Sequence, residues 1–424
     1  MLSTLRNAWR IPDIRKKMTF TILMLLVVRL GAAVPVPFMN KSIIEGIFNA
    51  SQGGILQFLD MMAGGTFSDF SIFATNIYPY ITASIILQLL TIAIPKLEEL
   101  AKQGEEGKKK INRYTRYGAI VLAAVQAIGY TFGLFRNALE TQNSMQTVIV
   151  ILSMVAGTAF LMWIGELITE KGIGNGISLL IFIGIISKLP SDLISTFKLV
   201  SIGQLSLIKV LLFGIVMLVI IAFVVALQEG QRKIPVQYAK RVVGRKMYGG
   251  QSTHIPIKVL MAGVIPVIFA SSLLALPQTF ALFSQGGITQ WVEKYLTPAG
   301  SVGIWVYSIL NILLIVFFTY FYTAVQFNTV EYSKNLQQNG GFIPGIRPGR
   351  PTSDYLNKVV NRIVFVGGIS LALLASLPIV LSKAFAMNVN FGGTAIIIVV
   401  GVALETVKQI ESQMLMRHYK GFLN

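Results

Sequence analysis

The 424 residues contain no cysteine, which excludes disulfides, thiolate metal sites and cysteine nucleophiles. Charge is scarce too: 13% of residues are charged and 54% hydrophobic, with a mean hydropathy of +0.68. A soluble domain could not bury so much apolar side chain, so a bilayer must be the solvent. The two histidines, His254 and His418, sit in polar segments beside basic residues with no partner at metal-ligand spacing, and read as solvated loop residues. Carboxylates are nearly missing from the apolar runs, with Glu166 and Glu405 toward their ends. An ion-coupled carrier keeps a mid-span carboxylate in spite of a cost of about 2.5–3.5 kcal/mol at the bilayer centre. No nucleophile, base and orienting group converge and no glycine loop suits a phosphate, so the chain reads as no enzyme, with no cofactor and no metal. A partner must supply any energy.

What the sequence does have is a series of apolar runs long enough to cross about 30 Å of hydrocarbon. Ten spans are expected, near 18–36, 72–94, 115–136, 146–168, 177–197, 206–228, 257–278, 303–328, 359–381 and 392–414. The basic preface of the first, Arg6 to Lys17, resembles a signal peptide, but the run is too long for one and reads as a retained span. Net charge is +18, and of the 36 Lys and Arg, about 28 fall in the N-terminus, the even-numbered connections and the C-terminus when basic residues within a span are counted with the nearer connection. The odd-numbered connections hold about 7 on the same count, and Arg29 lies within the first span. That alternation puts both termini in the cytoplasm of a multi-pass protein, and it accounts for the charge without a direct nucleic-acid function. The most basic connections are Lys96 to Arg116, Gln228 to Lys258 with Lys240, Arg241, Arg245 and Lys246, and a third from Glu331 (core 331–358) that holds Arg347 and Arg350 and extends to Arg362. Arg29, the main charge inside a span, is expected to face the bundle and bond carbonyls or hydroxyls.

An internal repeat is visible. The second span reads IYPYITASIIL from Ile77 and the seventh IPVIFASSLL from Ile265, aligning Pro79 with Pro266, Ile81 with Ile268, and Ala83-Ser84 with Ala270-Ser271. Gly176, Ile181 and Gly184 of the fifth span recur at the spacing of Gly393, Ile398 and Gly401 in the tenth. Both pairs lie five spans apart, and an odd offset inverts one half relative to the other. Chance similarity between Ile-, Ala- and Ser-rich spans is the competing account, and the shared offset weighs against it.

Several long motifs resemble one family in order along essentially the whole chain: RLGAAVPVP (29–37), IYPYITASIILQLL (77–90), GELITEKGIGNGISLLIF (165–182), QRKIPVQYAKRVVGRKMYGGQSTHIPIKV (231–259) and GGFIPGIRPG (340–349). They resemble the SecY family, the channel subunits of protein translocases. Two departures stand out: Asn76 and Phe38 occupy positions where that family commonly has glycine, and they bear on how the second span starts.

The resemblance implies an all-α integral membrane protein, ten transmembrane helices in two pseudo-symmetric inverted halves (1–200 and 201–424) around a central pore in the cytoplasmic membrane. It implies a pore ring of Ile77, Ile81, Ile177, Ile181, Ile268 and Ile398. Four-residue spacing puts Ile77 with Ile81 and Ile177 with Ile181 on shared helix faces, although any such isoleucine also suits ordinary core or lipid contact. The segment 55–70, apolar, glycine-broken and too short to span, corresponds to the plug, with Leu56, Phe58, Leu59, Met62, Gly64, Gly65 and Phe67; an interfacial helix would read the same way. Gln88, Gln126, Ser271 and Ser272 match the lateral gate, where permanent hydrogen-bonded glue is the alternative. The partners implied are SecE and SecG subunits, the SecA motor ATPase and the ribosome on Lys240, Arg241, Arg245, Lys246, Arg347 and Arg350, signal-bearing client chains and membrane lipids. A secondary transporter built on an inverted repeat and a polytopic insertase are the other classes this architecture admits.

Overall fold

The computed structural model describes residues 2–50, 60, 64–139, 143–238, 241–243, 246–248, 252–281, 287–297, 302–384 and 393–420. The helices are α1 (Leu2–Arg10), α2 (Pro12–Ala32), α3 (Lys41–Ala50), α4 (Tyr78–Ala93), α5 (Pro95–Lys102), α6 (Glu105–Gly129, with a π turn Tyr130–Leu134), α7 (Ser144–Lys171), α8 (Gly176–Ser201) and α9 (Leu207–Glu229). After strands β1 (Gln231–Tyr238), β2 (Arg241–Val243), β3 (Lys246–Tyr248) and β4 (Ser252–Lys258) come α10 (Ile265–Ala281), α11 (Gly287–Tyr295), α12 (Gly303–Gln326) and α13 (Thr329–Gln338). Strand β5 (Gly341–Phe342), α14 (Arg350–Ala384) and α15 (Gly393–Lys420) complete the chain. Starts are marked by caps where the sequence offers them: the side chains of Asn143, Asn175 and Asn328 each accept a backbone N–H of the first turn.

A helix lies within each of the ten expected intervals, but not every one of these helices is long and apolar enough to span by itself. Among the described residues six helices are long and apolar enough to cross a membrane by length and composition, namely those starting at Glu105, Ser144, Gly176, Leu207, Gly303 and Arg350. The second and seventh spans begin later than expected. Asn76 has φ +52°, which stops α4 from extending backward, and Pro79 sits in its first turn. At 1.5 Å per residue α4 rises only about 24 Å, and it is preceded by mostly buried turns over 64–77. At its other end Ile94 is extended ahead of Pro95, and the chain bends by 102° into α5. In the seventh span, Ile257 and Lys258 end a strand, so α10 starts at Ile265.

The sheet is an addition to the expected all-helical architecture. Strand β1 pairs antiparallel with β4, from Gln231 opposite Lys258 to Gln237 opposite Ser252, and with β5 at Gln237–Phe342 and Tyr238–Gly341. Ile234 and Val236 alternate inward and meet Ile257, Leu336, Ile343 and Leu356 in a small core. His254 lies exposed on β4, and among the described residues no group of side chains could hold a metal ion.

The main core lies where α2, α4, α7, α8, α9, α10, α12, α14 and α15 meet. Arg29 is half-buried and, among the described residues, makes none of the hydrogen bonds expected of it. On α2 it stands between buried Val28 and Ala32, which join the main core, and exposed Leu26 and Leu30.

Candidate functional site

The aligned repeat motifs begin their helices in the same register. Tyr78-Pro79 opens α4 and Ile265-Pro266 opens α10, so Ile81 and Ile268 are each the fourth residue of a helix. The two helices pack against each other. Ile77, Ile81, Ile181, Ile268 and Ile398 are all buried in the main core cluster, and half-buried Ile177 packs against it. The six residues, from α4 and the position before it, α8, α10 and α15, therefore belong to one continuous apolar core, an apolar junction to which both repeats contribute. Ile77 immediately precedes α4 instead of lying within it, but Tyr80 N and Ile81 N both donate to its carbonyl, which continues the turn through that position.

Of the expected plug residues, Leu56, Phe58, Leu59 and Met62 lie outside the described residues. Gly64, Gly65 and Phe67 are described. Phe67 is buried in an aromatic nest, 4.8 Å from the Tyr130 ring and 5.7 Å from those of Phe48 and Phe135. Gly64, at φ +68°, approaches α8 so closely that a Cβ would sit 2.4 Å from the Gly184 carbonyl oxygen. Asp60 is buried, accepts the Ser68 N–H at 2.7 Å and forms an ion pair with Lys188 of α8. Sequence reasoning missed Lys188. It was hidden among apolar neighbours, and the available clue was its place three turns beyond Ile177 on the same face.

Two of the four gate residues come together. Gln126 of α6 and Ser272 of α10 line one small enclosed cavity with Tyr78 and Thr82 of α4 and Phe67. Both are buried, and neither Gln126 Oε1 nor Ser272 Oγ has a hydrogen-bond partner among the described residues. The other two turn to their own helices: Gln88 Nε2 donates to Ser84 at 3.3 Å, and Ser271 Oγ donates to the Val267 carbonyl at 2.9 Å. Nearby, the buried hydroxyls of Thr75 and Thr158 join the turns before α4 to α7, a contact that sequence did not suggest.

Among the loop residues, Lys240 and Arg245 lie outside the described residues, while Arg241 and Lys246 are backbone members of the β2–β3 ribbon. Arg347 is exposed in a turn that other groups hold in shape: Thr352 Oγ1 donates to the Arg347 carbonyl at 2.8 Å, and Ser333 Oγ donates to the Gly349 carbonyl at 2.6 Å. Arg350 opens α14 and is also exposed. Glu166 accepts from Arg116 Nε at 2.7 Å, so this span-end carboxylate is ion-paired.

These features define a multi-pass helical membrane protein whose repeated elements converge on an apolar junction. A family model described as SecY matches residues 71–407. The protein translocase subunit SecY of Halalkalibacterium halodurans is 46% identical over 437 residues, covering 100% of both chains, and that of Bacillus subtilis is 43% identical over 436 residues with the same coverage. The chain belongs to the SecY family. Its fold is that of a solved protein-conducting channel, with a TM-score of 0.69 at 20% identity over 95% of this chain and 93% of the other. Sec61 in a canine ribosome-channel complex from the endoplasmic reticulum matches at 0.66 and 18%, with the same coverage of each.

Proposed function

We propose that the chain is the central channel subunit of a Sec translocase, not an enzyme, passing unfolded secretory proteins across the cell membrane and releasing membrane segments sideways into lipid. The observation that supports this reading is that six isoleucines, four of them in the repeat pairs Ile81/Ile268 and Ile181/Ile398, share one apolar core in a chain of this family. In it the isoleucines form the pore ring of a ten-span protein with halves 1–200 and 201–424 and both termini cytoplasmic. Residues 55–70 form the plug. The seat of Phe67 against Tyr130 at the end of α6, and of Gly64 against Gly184 of α8, supports that role, because a wedge held by packing contacts can leave its seat. Gln88, Gln126, Ser271 and Ser272 mark the lateral gate; a seam with unmet polar atoms opens at little cost, since such bonds between membrane helices are worth only about 0.6 kcal/mol each.

Lys240, Arg241, Arg245, Lys246, Arg347 and Arg350 contact SecA and the ribosome, whose acidic and phosphate surfaces suit basic loops. SecE and SecG complete the complex. The absence of native cysteine makes the deciding experiment clean. Cysteines at Ile81 and Ile268 should crosslink to a preprotein trapped in mid-passage in the reconstituted complex driven by SecA. Crosslinks from a lipid-facing site such as Ile86 and none from either pore position would end this reading.

A further inference from the structure

Along α8, Ile177, Ile181, Gly184 and Lys188 fall at offsets of four, seven and eleven residues, which at 100° per residue form a single stripe. Its first two members belong to the apolar junction, the third receives the backbone at Gly64, and the fourth holds Asp60. The stripe thus runs continuously from the junction to the seat of the 60–70 segment. Lys188 ends it with a side chain only 18% exposed, against an Asp60 side chain only 7% exposed. One helical turn further on, half-buried Asp192 is within Coulombic range of both Lys188 and Asp60. An i,i+4 pair of opposite charges on a helix is within reach, about 5–6 Å between Cβ atoms. Lys188 therefore stands between two carboxylates, one carried by the segment and one fixed on its own helix. With Asp60 in place, the three groups hold one cation against two anions; if the segment leaves, Asp60 takes away the surplus negative charge and Asp192 remains as a partner for Lys188.

We propose that Lys188 is a gating residue that exchanges Asp60 for Asp192 when the 60–70 segment leaves its seat, so that these two carboxylates set, with opposite signs, how readily a client opens the channel. The proposal rests on the channel reading above. A cation with no second partner would be left bare in a partly apolar wall, and the segment would be held too firmly; Asp192 lowers the cost of letting go. Repulsion between Asp60 and Asp192 acts in the same direction, weakening the seated state.

The test uses the full chain in its reconstituted complex, with resting ion leak and transport of a client bearing a weakened signal as readouts. Asp60→Asn should raise the leak and weak-signal transport by about tenfold, less than the loss of one partner from a fully buried pair would give, because Lys188 is partly exposed. Asp192→Asn should do the reverse, lowering weak-signal transport several-fold while strong-signal clients still pass. The swap Asp60→Lys with Lys188→Asp, which keeps a pair at the seat, should return the leak toward wild type and show that the single variants act through charge rather than misfolding. Equal effects of Asp60→Asn and Asp192→Asn in the same direction, or no effect of either, would overturn the exchange. Those outcomes with crosslinks intact at Ile81 and Ile268 leave the channel reading standing, whereas loss of the crosslinks removes both.

Discussion

Replacing Ile81 and Ile268 together by asparagine attacks the apolar junction from both repeats. The two side chains are 3% and 7% exposed, and full burial of an isoleucine is worth about 1.5–3 kcal/mol. An amide put in each place without a partner adds roughly 1–3 kcal/mol of unmet desolvation. The two positions share one cluster, so their costs are not independent, and the dry junction loses on the order of 5 kcal/mol. Water supplies the missing hydrogen bonds, and a wetted junction conducts. We expect the resting conductance of reconstituted complexes to rise by at least about tenfold, since even 1.4 kcal/mol of that loss is a tenfold change in an equilibrium. The control is Ile86→Asn on the same helix, 41% exposed, which should cost stability in lipid without opening a path. Wild-type conductance in the double variant, or an equal leak from Ile86→Asn, would refute the reasoning.

Further outcomes follow from the other sites. Gln126→Leu with Ser272→Ala removes two buried polar atoms that lack partners, and should stabilise the seam by about 1–3 kcal/mol, seen as a higher thermal midpoint and weaker insertion of marginally hydrophobic segments. Arg347→Glu should leave the thermal midpoint unchanged, because backbone acceptors hold that turn, while SecA-driven transport falls at physiological salt; normal transport would remove it from the partner surface. Phe38 has φ +60°, so Phe38→Gly should relieve about 1–2 kcal/mol of backbone strain, whereas Asn76→Ala should lose stability because it keeps the positive φ and drops the side-chain bond to Ile77 N; thermal unfolding in detergent measures both.

Much of this was legible in the sequence, for reasons that particular residues make plain. Ile81 and Ile268 could be paired because proline and Ala-Ser fix their register locally, and the structure begins both helices at the residue before that proline. The two departures from the family's glycines, Phe38 and Asn76, prove to be left-handed positions, which explains why glycine is common there. Other features depend on approach between distant segments and leave no local trace. Asp60 and Lys188 are 128 positions apart, and nothing near either one announces the pair. Thr75 and Thr158 are alike in this respect, separated by 83 positions. In β1 and β4, Pro235 and Pro256 lack the N–H a sheet ladder uses, yet each strand pairs through its proline. The cost of a charge in a bilayer predicts polar partners for Arg29, and among the described residues none bonds it; at the boundary between core and exposed surface its long stem can carry the charge toward the interface.

The pairing of Gln237 and Tyr238 with Phe342 and Gly341 ties the two long basic connections together, although the paired positions lie far apart in the chain. A ligand that grips the Arg347 turn meets the far end of the β1–β4 pair, at Gln237 and Tyr238, at a fixed spacing, so its second contact forms at high effective concentration, as in bivalent binding. The same rungs act as a yoke: β4 leads into α10 and the Arg347 turn leads into α14, so a load applied at either basic connection reaches both helices together. A partner that pushed on one connection alone would still move two walls of the bundle.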